Sequence, residues 1–376
     1  MLPTLEECYR YTEGGWLAKH ETDSLVGFKY TLNTTYGLHW DNVTLQCRGI
    51  VFEKSTGNVV AHPFDKFFNY GEIFTQEGEL TELAKQLSEM PDFQPDVTEI
   101  FLASEKIDGS LIICFHYGNE WILKTGGHFY NEQSAWAKKW FDAHVNTERM
   151  YKDCTYCFEM VSKGDVHVIH YDYTGLVLLA IFTTDTHAEF NRFVVEAQAT
   201  WMGIEAAPVI EGIKDLHDCV EKARKLDLTH EGFVVRFDSG FRLKLKGDEY
   251  LDMFKRINSI TYRSIREHFD YNTGKVDLEY VKSIPEEMVG MREYVSTVES
   301  KWEDAVSKVK GLVSRLGKIE DARERFETAC LAAKEYDCEN LVKIAINIVK
   351  NGDFDHFRAD MWKRVNQDLK SLYKDE

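Results

Sequence analysis

Near residue 250 the chain changes period, and that change limits what it can fold into more than any other feature. Up to that point, short β-type runs alternate with turn signals. "LQCRGIVFE", "STGN" and "VVAHPF" read as one hairpin, and "SLIICFHY", "GNE" and "WILKT" as a second. "CTYCFEMV", "VHVIHYDY", "GLVLLAIFTTD", "HEGFVVRF" and "FRLKLK" continue in the same style. Helical spacing intervenes over 78–90, 131–144, 187–202 and 213–225. Such a half is mixed α+β, with antiparallel strands because so many connections are tight. Beyond it the period becomes helical: Met288, Met291, Val295, Val298, Trp302, Ala305, Val309, Leu312 and Leu316 recur three and four apart until Gly317. That predicts a helix of about 30 residues. Further helices are expected over 319–336, 338–350 and 354–374, and they supply packing partners for an intramolecular bundle rather than a coiled-coil dimer. The expected organisation is an α+β domain over 1–250 followed by an all-helical domain over 251–376.

Charge narrows the partners. Residues 281–376 hold 17 Lys+Arg and 19 Asp+Glu, so −16 of the formal −18 falls on the first 280 residues. A protein coating nucleic acid nonspecifically needs many cations, so any polyanion site here must be a local cluster. "MLPTLEECYR" shows no secretory signal pattern, and no run of about 18 apolar residues offers a membrane span. The eight cysteines lie mostly in apolar runs and read as reduced core residues. The default compartment is cytoplasmic.

Cations placed in strand-like sequence carry the chemistry. In "ASEKIDGSLI", Lys106 stands among apolar runs, where lost hydration lowers an amine's pKa and would let it become a nucleophile. Lys244 and Lys246 in "RLKLKG" lie two apart, hence on one face of a strand, as a solvated outer edge or as a phosphate cradle. Arg48 in "QCRGIVF" and Lys66 in "PFDKFFNYGE" are also lone cations among apolar and aromatic neighbours. Glu159 in "CFEMV" and Glu231 in "EGFVV" add carboxylates. Convergence of the five cations on one polyphosphate would explain them together. Cys154, Cys157, His167 and His170 form C-x-x-C then H-x-x-H, but the spacing falls short of a zinc finger, and structural cysteines and histidines are the expectation. "KTGGHF" contains a glycine turn, yet neither a Rossmann nor a Walker pattern occurs.

The ordered set resembles the covalent nucleotidyltransferases: "EKIDGS", with Lys106, Asp108 and Gly109, is similar to their motif K-x-D-G, "FEMV" to motif III, "EGFVV", with Glu231 and Gly232, to motif IV, and "KLK" to motif V. Within that superfamily the chain looks most like the T-even phage RNA ligase 1 family, through "CRGIVFE", "DKFFNYGE" and "KLKGDEY" and a helical tail where DNA ligases and capping enzymes carry an OB-fold. The resemblance covers roughly residues 25–250.

It implies an ATP-dependent RNA ligase, with Mg2+ or Mn2+, acting in RNA or tRNA repair. The Lys106 amine attacks the α-phosphorus of ATP, AMP passes to an RNA 5′-phosphate, and a 3′-hydroxyl displaces AMP. It further implies that Arg48 and Lys66 hold the β- and γ-phosphates, that Lys244 and Lys246 neutralise charge at the α-phosphorus, and that Glu159 accepts from the ribose. Glu231 would place the metal or the lysine, Tyr30 would contact ATP, Tyr250 would act in sealing, and Phe182 would stack on adenine or serve the core. Metal ligands are not specified. Single-stranded RNA ends, a cleaved tRNA anticodon loop among them, would be the partner of a monomer in the cytoplasm, the host's if the chain is phage-encoded. The chain departs from the family at Lys124-Thr125-Gly126-Gly127, where a second basic residue is usual, so Lys124 would serve alone. A DNA ligase, a capping guanylyltransferase and a non-catalytic RNA-binding scaffold are the alternatives.

Overall fold

A computed structural model of the 376-residue chain describes residues 2–75, 77–90, 98–163, 168, 169, 171–284 and 288–373. It divides into two units, Met1–Asp252 and Met253–Glu376.

The first unit is built from β1 (Leu17–Glu21), β2 (Leu25–Tyr30), β3 (Arg48–Glu53), β4 (Val59–Ala61), β5 (Phe68–Asn69), β6 (Phe101–Glu105), β7 (Ser110–Tyr117), β8 (Glu120–Thr125), β9 (Cys154–Val161), β10 (Gly175–Thr183), β11 (Gly232–Phe237) and β12 (Arg242–Lys246). They form three four-stranded sheets, ordered β1-β2-β3-β4, β10-β9-β7-β8 and β5-β12-β11-β6. Both expected hairpins are present, as β3–β4 and β7–β8. All pairings are antiparallel except β5 with β12, which joins strands more than 170 residues apart in the chain.

Alternation along the strands explains the layering, because successive side chains point to opposite faces. On β7, Ile112 and Cys114 join the core beneath the helices Glu132–His144 and Arg192–Met202, while Ile113 and Phe115 pack with Leu25, Val51 and Ala61 of the first sheet. β9 is buried at all eight positions, as a central strand covered on both faces must be. On the third sheet Leu243, Leu245, Val235 and Phe237 face the helix Leu216–Arg224, leaving Lys244, Lys246, Val234 and Arg236 on the opposite face.

Two expectations for this unit are corrected. "VHVIHYDY" forms no strand among its described residues, and His167 and His170 of the H-x-x-H pair lie outside the described residues. The helix expected from 187 begins only at Arg192, capped by the Asn191 side chain, which accepts from the Val194 amide at 3.1 Å. His187 instead has a φ of +54° in a turn.

The second unit is predominantly helical, and the expectation of an all-helical domain is corrected by a short antiparallel ladder that pairs Phe269–Asp270 with Lys275–Val276. Val289–Leu316 runs 28 residues, followed by Ala322–Glu335, Val342–Asn351 and Arg358–Leu372. Its apolar stripe is covered within the unit: Val298, Val309, Leu312 and Leu316 are fully buried with Ala329, Ala345, Met361 and Leu369 in one core. An intramolecular bundle accounts for the heptad spacing. No helix among the described residues is long and apolar enough to cross a membrane.

Candidate active site

The second and third sheets face each other across a cavity of about 600 Å³. Gly109, Leu111, Glu159 and Leu179 come from one wall; Ser104, Val234, Arg242, Lys244 and Lys246 come from the other. Lys106 stands immediately after β6, where its amide donates to the Gly232 carbonyl at 2.8 Å. Two glycines permit this approach. A Cβ on Gly232, whose φ is +150°, would lie 1.9 Å from the Leu245 carbonyl oxygen, and one on Gly109 would lie 2.3 Å from that of Met160.

The Lys106 ammonium donates to Glu231 Oε2 at 2.5 Å, and Lys246 Nζ sits 2.8 Å from the other oxygen of the same carboxylate. Glu231 is buried, whereas both lysines are about one-fifth exposed toward the cavity. One carboxylate therefore fixes two amines. The nearest partner of Lys106 is thus an anion, not the bare cations that the sequence suggested. Asp108 is buried beside it, accepting from the Tyr250 hydroxyl at 3.1 Å and the Ile169 amide at 3.1 Å, while its own amide donates to the Tyr171 hydroxyl at 2.9 Å. Asp108 and Tyr250 thereby tie the loop after Lys106 to the helix Asp248–Ser259.

Electrostatics separate the cations by their surroundings. Lys244 is pushed well below the ordinary lysine value, first by burial and then by Arg48, Lys66, Lys106 and Lys246. Its amine lies 4.6 Å from the Phe67 ring centre, and the Arg48 guanidinium lies 4.8 Å from that ring. Arg48 Nη1 is buried without a hydrogen-bond partner. Lys66 is also lowered by burial, against the pull of Glu72 and with a contribution from Arg48, and its amine lies 4.2 Å from the Phe68 ring. Burial raises Glu159 to about 7, opposed by Lys106 and Arg48 and assisted by Glu231 and Asp108. Seven Lys and Arg side chains and only four carboxylates are among the described residues lining the cavity, in a half of the chain whose net charge is −16. The cleft is locally enriched in cations.

Four of the five expected cations thus line one cleft. Lys66 lines an adjoining cavity of about 1010 Å³ that shares Phe67, Glu189, Arg236 and Arg242 with it. Other expected residues lie elsewhere. Tyr30 packs edge-on against Trp40, with ring centres 5.0 Å apart, and is not among the described residues lining the cleft. Phe182 is buried with Phe64, Cys157 and Ala180 and reaches only the adjoining cavity. Lys124 is fully buried and donates to the Thr125 carbonyl at 2.7 Å and to those of Gly49 and Gly126 at 3.4 Å; burial and Lys29 lower it to about 7. Cys154 and Cys157 are buried free thiols.

Sequence reading missed Glu189, Arg236 and Arg242. Arg236 and Arg242 are directly opposed on β11 and β12, and Glu189 holds both, Arg236 Nε at 2.6 Å and Arg242 through Nη2. The signal for Arg242 was available, since it shares the strand parity of Lys244 and Lys246. Glu189 was concealed within the overextended helix.

Fold and cleft together define a class: a three-sheet domain whose second and third sheets enclose a cation-rich cleft holding a candidate lysine nucleophile. A model of the RNA ligase family matches residues 46–250, more than half of the chain, and the chain belongs to that family. It is 30% identical over 231 residues to a protein of Autographa californica nuclear polyhedrosis virus provisionally named bifunctional polynucleotide kinase/RNA ligase, matching 57% of this chain and 31% of that one. The RNA ligase of Rhodothermus phage RM378 is 22% identical over 372 residues, with 83% of each chain covered. The chain thus spans about a third of the viral relative's length. Among solved structures, an archaeal ATP-dependent RNA ligase aligns over 89% of this chain and 86% of that one, with a TM-score of 0.45 and 14% identity.

Proposed function

We propose that the chain is an ATP-dependent RNA ligase that joins a 5′-phosphate to a 3′-hydroxyl through lysyl-AMP. The observation that carries this reading is the shared carboxylate: Glu231 holds Lys106 and Lys246 at 2.5 and 2.8 Å, with Lys244 and Arg48 in the same cleft. A lysine kept within reach of unpaired cations suits attack on a phosphorus atom. In the first step the Lys106 ammonium passes one proton to Glu231, its acceptor; the freed amine nitrogen forms a bond to the α-phosphorus, the bond to pyrophosphate breaks, and the second nitrogen proton leaves with the pyrophosphate. Lys244, cationic once an anion sits beside it, and Lys246 stabilise charge developing on the α-phosphoryl oxygens. Arg48, whose buried Nη1 lacks a partner, and Lys66, from the adjoining cavity, receive the departing β- and γ-phosphates. Glu159 accepts from the ribose.

In the second step an RNA 5′-phosphate oxygen bonds to that phosphorus and the bond to Lys106 nitrogen breaks. In the third, a 3′-hydroxyl oxygen attacks the RNA 5′-phosphorus and AMP leaves. The oxygen donors of Glu159, Glu231 and a bound triphosphate fit Mg2+, with Mn2+ as the alternative, and such a cation would supply further charge neutralisation. Tyr250 holds Asp108 and so shapes the Lys106 loop, which supports a part in sealing. RNA ends are the substrate class, a cleaved tRNA anticodon loop among them. RNA-end recognition by residues 251–376 is supported by their nearly balanced charge, which repels RNA less than the first unit does. The stripe covered within that unit supports a monomer, and the eight free cysteines a reducing cytoplasm.

Intact mass after incubation with ATP and magnesium tests the reading. One added AMP is expected, absent in Lys106→Ala, together with ATP-dependent circularisation of a 5′-phosphorylated RNA. A Lys106→Ala variant that still took up AMP or still circularised RNA would overturn it.

A further inference from the structure

Lys29 of β2 is a cation to which the ATP chemistry gives no task. It is exposed, and it is not among the described residues lining the Lys106 cleft. Its cross-strand partner is Arg48, which opens β3 and does line the cleft. The Lys29 stem lies over the turn that follows β8: a Cβ on Gly126 would sit 3.8 Å from Lys29 Cδ and 4.0 Å from its Cε, and one on Gly127 would sit 3.7 Å from Cδ. Two consecutive glycines thus leave the outer face of that turn to the lysine. Beneath it the fully buried Lys124 donates to the Thr125 and Gly126 carbonyls and offers a substrate no surface. The amine that a substrate can meet at this turn is therefore that of Lys29.

Charge around Lys29 has one sign. Partial burial of its amine, and then Arg48, lower it below the ordinary lysine value. Lys124 is lowered by burial and by Lys29, and His20 by burial and then by Lys124, His128 and Lys29. Among the described residues no carboxylate acts on any of these three, in a half of the chain whose net charge is −16. Like charges facing each other across a strand pair are destabilising, and Arg48 Nη1 is buried without a hydrogen-bond partner. The Lys29–Arg48 pair is thus completed by an anion that the protein itself does not supply.

The order of the proposed reaction says which anion. In-line displacement puts the entering and leaving groups on opposite sides of the α-phosphorus. Pyrophosphate leaves opposite Lys106 in the first step. Lys106 itself leaves in the second, so the RNA 5′-phosphate must enter from the side that pyrophosphate vacated. Arg48, which receives the departing phosphates, then meets the RNA end. Facing Cβ atoms on neighbouring strands are about 4.5–5.5 Å apart, so a strand running on from Arg48 reaches Lys29 next. ATP has no further phosphate to offer there once Arg48 and Lys66 hold the β- and γ-groups. We propose that Lys29 binds the first phosphodiester of the 5′-phosphorylated RNA strand, across the outer face of the Gly126–Gly127 turn. The assignment rests on the ligase reading and adds to it the residue that takes hold of the RNA beyond its reacting end.

The test measures binding of a fluorescent 5′-phosphorylated RNA to the full-length Lys106→Ala chain, in which no covalent step intervenes. Adding Lys29→Ala should weaken binding about fivefold at 0.1 M salt, the worth of one phosphate contact when log K falls by about 0.7 per decade of salt, and should lower the salt slope by about 0.7. Lys29→Arg should restore both. An RNA whose first phosphodiester is a neutral methylphosphonate should bind the chain with Lys29 about fivefold more weakly than natural RNA, and the Lys29→Ala chain no more weakly, because the two changes remove one contact. No RNA binding, equal affinity with and without Lys29, or a methylphosphonate penalty that persists in Lys29→Ala would overturn the assignment. So would a loss of lysyl-AMP formation at limiting ATP in Lys29→Ala that matches its loss of RNA binding, since the lysine would then serve the nucleotide. The ligase reading fails separately, on the absence of lysyl-AMP in the wild-type chain.

Discussion

Replacing Glu159 with glutamine should make the first unit more stable at pH 8 while impairing its chemistry. Glu159 is only 9% exposed, and burial raises it from 4.5 to about 7. Between those values the folded chain keeps a proton that the unfolded chain has released, so stability falls as pH rises through that window and levels off above 7. A shift of that size is worth about 3 kcal/mol at 1.36 kcal/mol per pH unit. Glutamine fills the same space and cannot ionise. The variant should therefore match the wild type near pH 4.5 and exceed it by about 3 kcal/mol at pH 8. Cys114, Cys154 and Cys157 are buried thiols on β7 and β9. Pulse-labelling them after equilibration in urea, quenched to one common pH and read by mass spectrometry, follows this unit apart from the helical one. Equal changes in urea midpoint between pH 5 and 8 for the two proteins would refute the assignment of the buried proton to Glu159. The variant should also form less lysyl-AMP, having exchanged a carboxylate acceptor for an amide.

Lys244→Met should likewise stabilise the nucleotide-free chain, by about 1–3 kcal/mol, because it removes a buried amine facing four other cations; thermal unfolding should show this while AMP transfer collapses. Lys124 has the opposite pH sign to Glu159. Its amine is lowered from 10.5 to about 7, so the folded chain lacks a proton the unfolded chain holds, and stability rises with pH between 7 and 10.5. Lys124→Met should abolish that rise in the same labelling assay. Gly232→Ala should cost at least about 3 kcal/mol, since its Cβ would overlap the Leu245 carbonyl at a φ of +150°; a soluble variant with unchanged Tm would contradict this.

Strand parity made much of the cleft readable in advance. Lys244 and Lys246 share a face because they are two apart, and that face had to be the cleft once Leu243 and Leu245 took the core. The same rule reaches Arg242. Parity could not say what opposes these residues, because the β12 partners Gly232 and Val234 belong to a register set by tertiary packing. Nor could periodicity place Glu189: the apolar spacing of Val195 and Ala199 extrapolates backward past Asn191, although Thr183, Thr186 and the left-handed His187 build a turn there. Arg236 opposite Arg242 supplies the physical link between these failures. Like charges directly opposed on neighbouring strands are destabilising, so the pair needs an anion from outside the sheet, and Glu189 at the end of that turn is the one present. Lys244, two residues along β12 from Arg242, faces Arg48, Lys66, Lys106 and Lys246 and so has the same need for an anion. Glu231 meets Lys106 and Lys246 in the same way, and the triphosphate of the proposed reaction would supply the negative charge that Lys244 lacks.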